Sequence, residues 1–300
     1  MKYAFIKEHK HIFKVARRCR RFEVTYQGYY QWVNKEKINS DPDKQLKDKI
    51  TMLFAESHQT YGVRRMQQAL LSEGISVGRD KVSRLMKSLH LRAKAAKKWK
   101  HTTDSNHKQP IAPNLLKQNF TAEKPNTIWT TDITYIWTQE GWIYLCVFLD
   151  IFSRKIVGWA THTRLTTDLV VTAFERAVAR RIPPEGLTVH SDKGSQYASI
   201  WFRNLLASHR FIQSMSGAGN CYDNAVTESF FHSLKVELIH GSVIDSRISA
   251  EQKLWNYIEG FYNSKRIHSS LGYMCPNSFE NKTVRNTDLE GEILDTAICA

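Results

Sequence analysis

The chain is poor in the features of exported, cross-linked or membrane proteins. Its five cysteines, Cys19, Cys146, Cys221, Cys275 and Cys299, are scattered without a C-x-x-C pair, which excludes a disulfide scaffold and reads as ordinary thiols of a reducing compartment. The paired spacing of a structural zinc site is also missing, since His9, His11 and Cys19 lack a fourth ligand. MKYAFIKEHKHIFK at the start has no apolar core of signal-peptide length, and the longest apolar run, YLCVFLDIF, is broken by Asp150. A soluble cytoplasmic protein with no membrane partner is expected. No heptad run occurs, so the chain supplies no coiled coil of its own.

Acidic residues are scarce in one region only. Residues 1–110 hold 25 Lys+Arg against 10 Asp+Glu, and residues 111–300 hold 18 against 19, so the formal charge of +14 belongs to the amino-terminal third. A basic third beside a neutral remainder points to a polyanion-binding module joined to something else. The 42% of hydrophobic residues is ample for a sizeable core in the remainder.

Two helix–turn–helix patterns lie in the basic third. Residues 12–34 hold two short helical patterns separated near Glu23 to Thr25, with Thr25 available as an N-cap. Residues 61–91 hold a clearer pair: Val63, Met66 and Leu70 recur at helical spacing, Glu73 and Gly74 interrupt, and Val82, Leu85, Met86 and Leu89 resume. The second helix of that pair displays Arg79, Lys81, Arg84 and Lys87, which suits phosphate and base-edge contacts in a major groove of double-stranded DNA. Organisation is expected as helix–turn–helix regions at 1–40 and 41–92, a basic linker at 93–124, an α/β core at 125–285 and a tail at 286–300.

The α/β core begins with IWTTDITYIW at 128–137. On a period of two, Ile128, Thr130, Asp132, Thr134 and Ile136 share one strand face. A carboxylate in so apolar a strand needs a partner, because an unpaired buried charge costs several kcal/mol or is neutralised. Two further β-rich runs follow the TQEG turn and predict three consecutive antiparallel strands; a helix at about 167–181 and the short strand LTVHSD then make the sheet mixed. Asp192 ends that strand, where open α/β sheets place ligand-binding groups. A third carboxylate, Glu228, lies one turn inside a helix that Asp223 or Asn224 can cap, and Lys235 follows seven residues later on nearly the same face. Three converging carboxylates repel one another unless a cation joins them. Hard oxygen ligands suit Mg²⁺ or Mn²⁺, and two such ions can drive an in-line phosphoryl displacement.

WTTDITYI, GWIYLCVFLDIFSRKIVGW, HSDKGSQY, GNCYDNAVTESFFHSLKVE and YNSKRIHSSLGYMCP together resemble the second-reading-frame (OrfB) transposases of bacterial insertion sequences, relatives of retroviral integrases. Asp192 and Glu228 have 35 residues between them, the spacing of the D,D(35)E group, and Lys235 matches that family's Lys/Arg. The resemblance implies an RNase H-like five-stranded sheet with flanking helices, preceded by an all-α helix–turn–helix DNA-binding region. It also implies two Mg²⁺ or Mn²⁺ ions on Asp132, Asp192 and Glu228, and cleavage and strand transfer of element ends without a covalent protein intermediate. Further implications are DNA contacts from Lys193 and Lys235, a homo-oligomer on DNA, fusion to or pairing with an upstream-frame protein, and a nucleoid-associated place in a bacterium. His190 is read as structural. Gly217 and Ala218 depart from the family, which usually has a basic residue there. A DNA-binding regulator on a decayed core and a metal-dependent nuclease without joining activity are the competing readings.

Overall fold

The computed structural model describes residues 1–38, 41–94, 110–217 and 224–283. The Asp223 cap, Ala218, linker residues 95–109 and the tail at 286–300 lie outside them. Two compact units are present, Met1–Met52 and Leu53–Ala300.

In the first unit, α1 (Lys2–Glu8), α2 (Val15–Arg21) and α3 (Tyr26–Ile38) share a small core of Ile6, Cys19 and Tyr29. The last two helices are the pair expected from residues 12–34. Between them Glu23 takes φ 54°, and Thr25 Oγ1 accepts the Gly28 N–H at 3.0 Å, the capping bond its position predicts. The sequence pattern missed α1, because a seven-residue helix with Ile6 as its buried residue carries almost no periodicity. Cys19 is buried in this core and His9 stacks on Phe5, so both serve packing.

Helix α4 (Lys44–Glu56) spans the division between the units. In the second unit, α5 (Val63–Ser72) and α6 (Arg79–Ser88) form the expected pair, with Met66, Leu70, Val82, Leu85 and Met86 buried. Gly74 between them takes φ +79°, a left-handed conformation that costs glycine nothing. Arg79, Arg84 and Lys87 are exposed on α6 and Lys81 is partly so.

Strands β1 (Ile128–Thr138), β2 (Gly141–Asp150), β3 (Ile156–His162), β4 (Thr188–Ser191) and β5 (Ile212–Met215) form one sheet in the order β3-β2-β1-β4-β5. The first three are antiparallel neighbours, as expected, while β4 and β5 add in parallel on the other side of β1. This is the mixed five-stranded, RNase H-like sheet that the motifs imply. Helix α7 (Thr167–Arg181) covers one face, burying Leu169, Val170, Ala173, Phe174 and Ala177 in a core with Trp129, Phe148 and Phe202. Helices α8 (Ser195–Ala198) and α9 (Ile200–Ser208) complete that layer.

Helix α7 lies so close to β3 that Gly158 has no room for a side chain. A Cβ there would stand 2.5 Å from the Ala173 carbonyl oxygen and 2.5 Å from the Ala177 Cβ. Gly158→Ala is therefore expected to force helix and strand apart and to cost about 3 kcal/mol, the upper part of the range for overpacked cores. Thermal unfolding checks it; a midpoint within 1 °C of wild type would disprove the contact.

Helix α10 (Ala225–Leu234) continues directly into a π-helical turn, Lys235–Ile239; α11 (Arg247–Trp255) likewise continues into a second, Asn256–Tyr262. Asn263, just beyond, binds β3 through both amide atoms, accepting the Ile156 N–H and donating to the Ile156 carbonyl, each at 2.9 Å. Residues 276–283 form a final helix, whose Glu280 accepts two bonds from Arg181 at 2.9 Å.

Candidate active site

The register of the sheet sets the first two carboxylates side by side. β1 and β4 run parallel with Ile128 opposite Thr188, Trp129 opposite Val189 and Thr130 opposite His190. Continued by two residues, that register puts Asp132 level with Asp192, just past the carboxyl end of β4. Each is fixed by a local backbone donor: Asp132 Oδ1 accepts the Ile133 N–H at 2.7 Å, and Asp192 Oδ1 accepts the Gly194 N–H at 2.9 Å. Behind Asp192, His190 is fully buried and bonded to Ser214 Oγ at 2.8 Å, the structural role expected of it. Lys193 is partly buried beside Asp192.

Helix α10 brings Glu228 to the same place. Thr227 donates to Thr130 Oγ1 at 2.7 Å, so the helix packs on the β1 face that Asp132 shares with Thr130, and Glu228 is the next residue. Asn224 stands at the N-cap position, as expected, but its side chain does not cap. Its Nδ2 instead donates to the Thr131 carbonyl at 3.3 Å where helix and strand cross, and its Oδ1, the atom that would accept from the helix N–H groups, makes no such bond. Asn224 is therefore a fastener between α10 and β1.

Electrostatics report the convergence. Burial, the charge of Asp192 and the charge of Glu228 hold the Asp132 carboxyl well above the usual carboxylate range, against the Ile133 N–H and Lys235. Lys235 Nζ lies 5.2 Å from the centre of the Tyr135 ring, and burial lowers its pKa to about 8 while Asp132 opposes the shift. Two turns beyond Glu228, Lys235 is brought near Asp132 because α10 is fastened to β1 by the Thr227–Thr130 bond and its ammonium reaches the Tyr135 ring of the same strand.

Three acidic side chains gather, yet among the described residues no group of three His, Cys, Asp or Glu is arranged to hold a metal ion. The donor set fits Mg²⁺ or Mn²⁺ in chemistry, being hard oxygens with mutual repulsion that a divalent cation would relieve. On the other side of β1, Cys146, Thr131 and Tyr197 form a buried hydroxyl and thiol cluster, with Thr131 Oγ1 3.1 Å from the Tyr197 hydroxyl. Burial pushes the Cys146 thiol up to about 12, so it remains a thiol and no nucleophile.

Comparison with known proteins gives the family. Residues 122–221 and 228–284 each match an integrase core domain, and residues 41–99 match an HTH-like domain. The transposase InsF of insertion sequence IS3A from Escherichia coli K12 is 40% identical over 287 residues, covering 95% of this chain and all 100% of that protein. The chain belongs to the IS3 family of insertion-sequence transposases. A 31 kDa protein of insertion element IS600 from Shigella sonnei is 43% identical over 265 residues, covering 88% of this chain and 97% of that one. The catalytic core domain of HTLV-2 integrase in complex with magnesium is 18% identical, with a TM-score of 0.41 over 53% of this chain and 99% of that one. As a member of this family the transposase acts on DNA as a polynucleotidyl transferase of a divalent-metal-dependent class. No helix among its described residues is long and apolar enough to cross a membrane.

Sequence reasoning missed the support beneath Lys235. Glu237, two residues on, is buried and accepts from Arg266 through Nε at 2.9 Å and Nη2 at 2.8 Å, and from the Tyr257 hydroxyl at 2.7 Å. Arg266 Nη2 also donates to Ser233 Oγ at 3.1 Å. Arg266 belongs to YNSKRIHSSLGYMCP, a motif visible in the sequence whose partner 29 residues earlier is not. In the same motif, burial and the cations Arg266, Arg65 and Arg154 push His268 down to about 3, so it is neutral in the folded transposase. The unfolded chain binds a proton below about 6.5 that the folded chain refuses, so His268 contributes stability above that pH and loses it as pH falls toward 3, at roughly 1.4 kcal/mol per pH unit. His268→Asn should flatten this part of the stability–pH curve. An unchanged slope between pH 6 and pH 4 in chemical denaturation would contradict the buried neutral ring.

Proposed function

We propose that this transposase cleaves insertion-sequence ends and joins them to target DNA with two Mg²⁺ or Mn²⁺ ions held by Asp132, Asp192 and Glu228. The observation that carries the reading is the gathering of these three carboxylates by the β1–β4 register and the Thr227–Thr130 contact. Bound there, the ions would supply the Lewis acidity that activates an attacking oxygen and stabilises a leaving one. The chain's own share is positional. Ile133 and Gly194 orient the two aspartates through their backbone N–H groups, and Asn224 and Thr227 fix the helix that carries Glu228.

Water serves as the first nucleophile and the DNA 3′-hydroxyl as the second. Lys193 and Lys235 hold phosphates of the cleaved end, and Arg79, Lys81, Arg84 and Lys87 on α6 hold the duplex. The working form is a homo-oligomer on DNA, made with an upstream-frame partner in the bacterial cytoplasm at the nucleoid. Incubating purified protein with Mg²⁺ and labelled element ends tests the reading when nicked and joined products are scored separately. Nicking without joining would favour a simple nuclease; binding without either would favour a regulator.

Lys235→Ala is expected to weaken binding of cleaved ends and to lower joining on the order of tenfold or more, the size of one lost charge-assisted hydrogen bond. Lys235→Arg should retain much of the activity, because either cation can hold a phosphate. Equal joining by wild type and Lys235→Ala at subsaturating DNA would remove this residue from the site.

A further inference from the structure

A cleft of about 220 Å³ opens where the α5–α6 segment meets the end of α10, lined by Arg65, Lys94, His232, Ser233, Glu237 and Arg266. Its charges do not cancel. Glu237 is the single carboxylate of the lining, and Arg266 already neutralises it through paired bonds. Arg65 stands 3.9 Å from that same carboxylate as a second guanidinium, and Lys94 Nζ donates at 2.7 Å to the uncharged Glu237 carbonyl. Three cations therefore face one anion, a surplus of two positive charges. The surplus is felt by its neighbours: burial and then the charge of Arg266 lower the Arg65 proton affinity, and Lys94 and Lys265 add to burial in lowering that of His58.

We infer that this cleft is a phosphodiester-binding subsite, in which Arg65 and Lys94 take a backbone phosphate of the DNA engaged at Glu228. The inference rests on the active-site reading above, and its place on the helix supplies the ligand. His232 follows Glu228 by four residues on α10, one turn and about 6 Å along the axis. Duplex DNA carries one negative charge per about 1.7 Å of its axis, so a duplex end lying over Glu228 presents phosphates within reach of the cleft. Arg65 is supplied by α5 and Lys94 by the start of the basic linker, so a phosphate bound here ties the helix–turn–helix segment to the catalytic helix.

The test is DNA binding by the full chain, measured by fluorescence anisotropy on a labelled duplex carrying an element end, without Mg²⁺ and over a salt series. Arg65→Gln and Lys94→Gln should each lower the slope of log affinity against log salt by about 0.9, the value for one lost phosphate contact, while Arg65→Lys and Lys94→Arg keep the wild-type slope. Lys94 is exposed, so its substitution leaves a folded chain even if Arg65→Gln does not. A Lys94→Gln slope equal to wild type would overturn the inference and leave Arg65 and Lys94 as structural contacts of Glu237. Because the readout is binding alone, a chain that shows the reduced slopes yet never cleaves would sink the catalytic assignment and leave the subsite standing.

Discussion

Asp132→Asn is expected to abolish cleavage and joining while leaving the transposase at least as stable as wild type. In the proposed two-metal site, loss of one carboxylate ligand would remove several kcal/mol of transition-state charge stabilisation, on the order of a thousandfold in rate at 1.36 kcal/mol per decade. Stability should move the other way. The Asp132 carboxyl is held above its usual range by burial and by its acidic neighbours, so the fold disfavours its ionised form. An asparagine keeps an oxygen for the Ile133 N–H and discards that charge. The combination separates a metal-binding carboxylate from a structural one, whose removal would lower the melting temperature. Asp192→Asn and Glu228→Gln should lose activity alike. Retained cleavage in any of the three variants, in the presence of Mg²⁺ or Mn²⁺, would refute the assignment.

Arg266→Ala should be the most destabilising single change outside the sheet. Arg266 and Glu237 are 4% and 7% exposed, and the pair is joined by two short bonds and backed by Tyr257. Burial works against the Arg266 charge, and Glu237 more than reverses it, so Arg266 keeps its charge inside the protein. Truncating Arg266 leaves the buried Glu237 with only the Tyr257 bond and the 3.9 Å approach of Arg65, a loss of about 3–5 kcal/mol for a broken buried pair. In a chain of this size that lowers the unfolding midpoint by roughly 6–20 °C. Replacing both partners with apolar residues of similar volume should recover much of the loss, because it removes the stranded charge along with the pair. A melting temperature for Arg266→Ala within 2 °C of wild type would show that the network is not a structural element.

Much of the catalytic half is legible in one dimension because its elements are local. The alternation around Asp132, the TQEG turn, the helix over 167–181 and the end of a strand at Asp192 are all written in patterns a few residues long, and the structure returns them as β1, the β1–β2 hairpin, α7 and β4. The helix–turn–helix over 61–91 is legible for the same reason, with Gly74 supplying the turn. The spacing of Asp192, Glu228 and Lys235 names the family without saying where those side chains go.

The third dimension decided every relation between distant segments. A period of two tells which face Asp132 occupies but not which strand lies beside it, and the parallel entry of β4 next to β1 is a pairing across 60 residues, from Ile128 to Thr188. Asn224 has the local chemistry of a helix cap, and only the packing of α10 on β1 turns it toward the Thr131 carbonyl. Lys235 is two turns from Glu228 in any helix, yet its approach to Asp132 depends on the helix running beside β1 as far as Tyr135. Glu237 and Arg266 carry no periodic signal, because a buried ion pair is specified by geometry between segments and not by spacing within one. Local hydrogen bonding and side-chain alternation act over a few residues and are readable in order along the chain; desolvation and charge pairing act through space, and their partners are chosen only when the chain has folded.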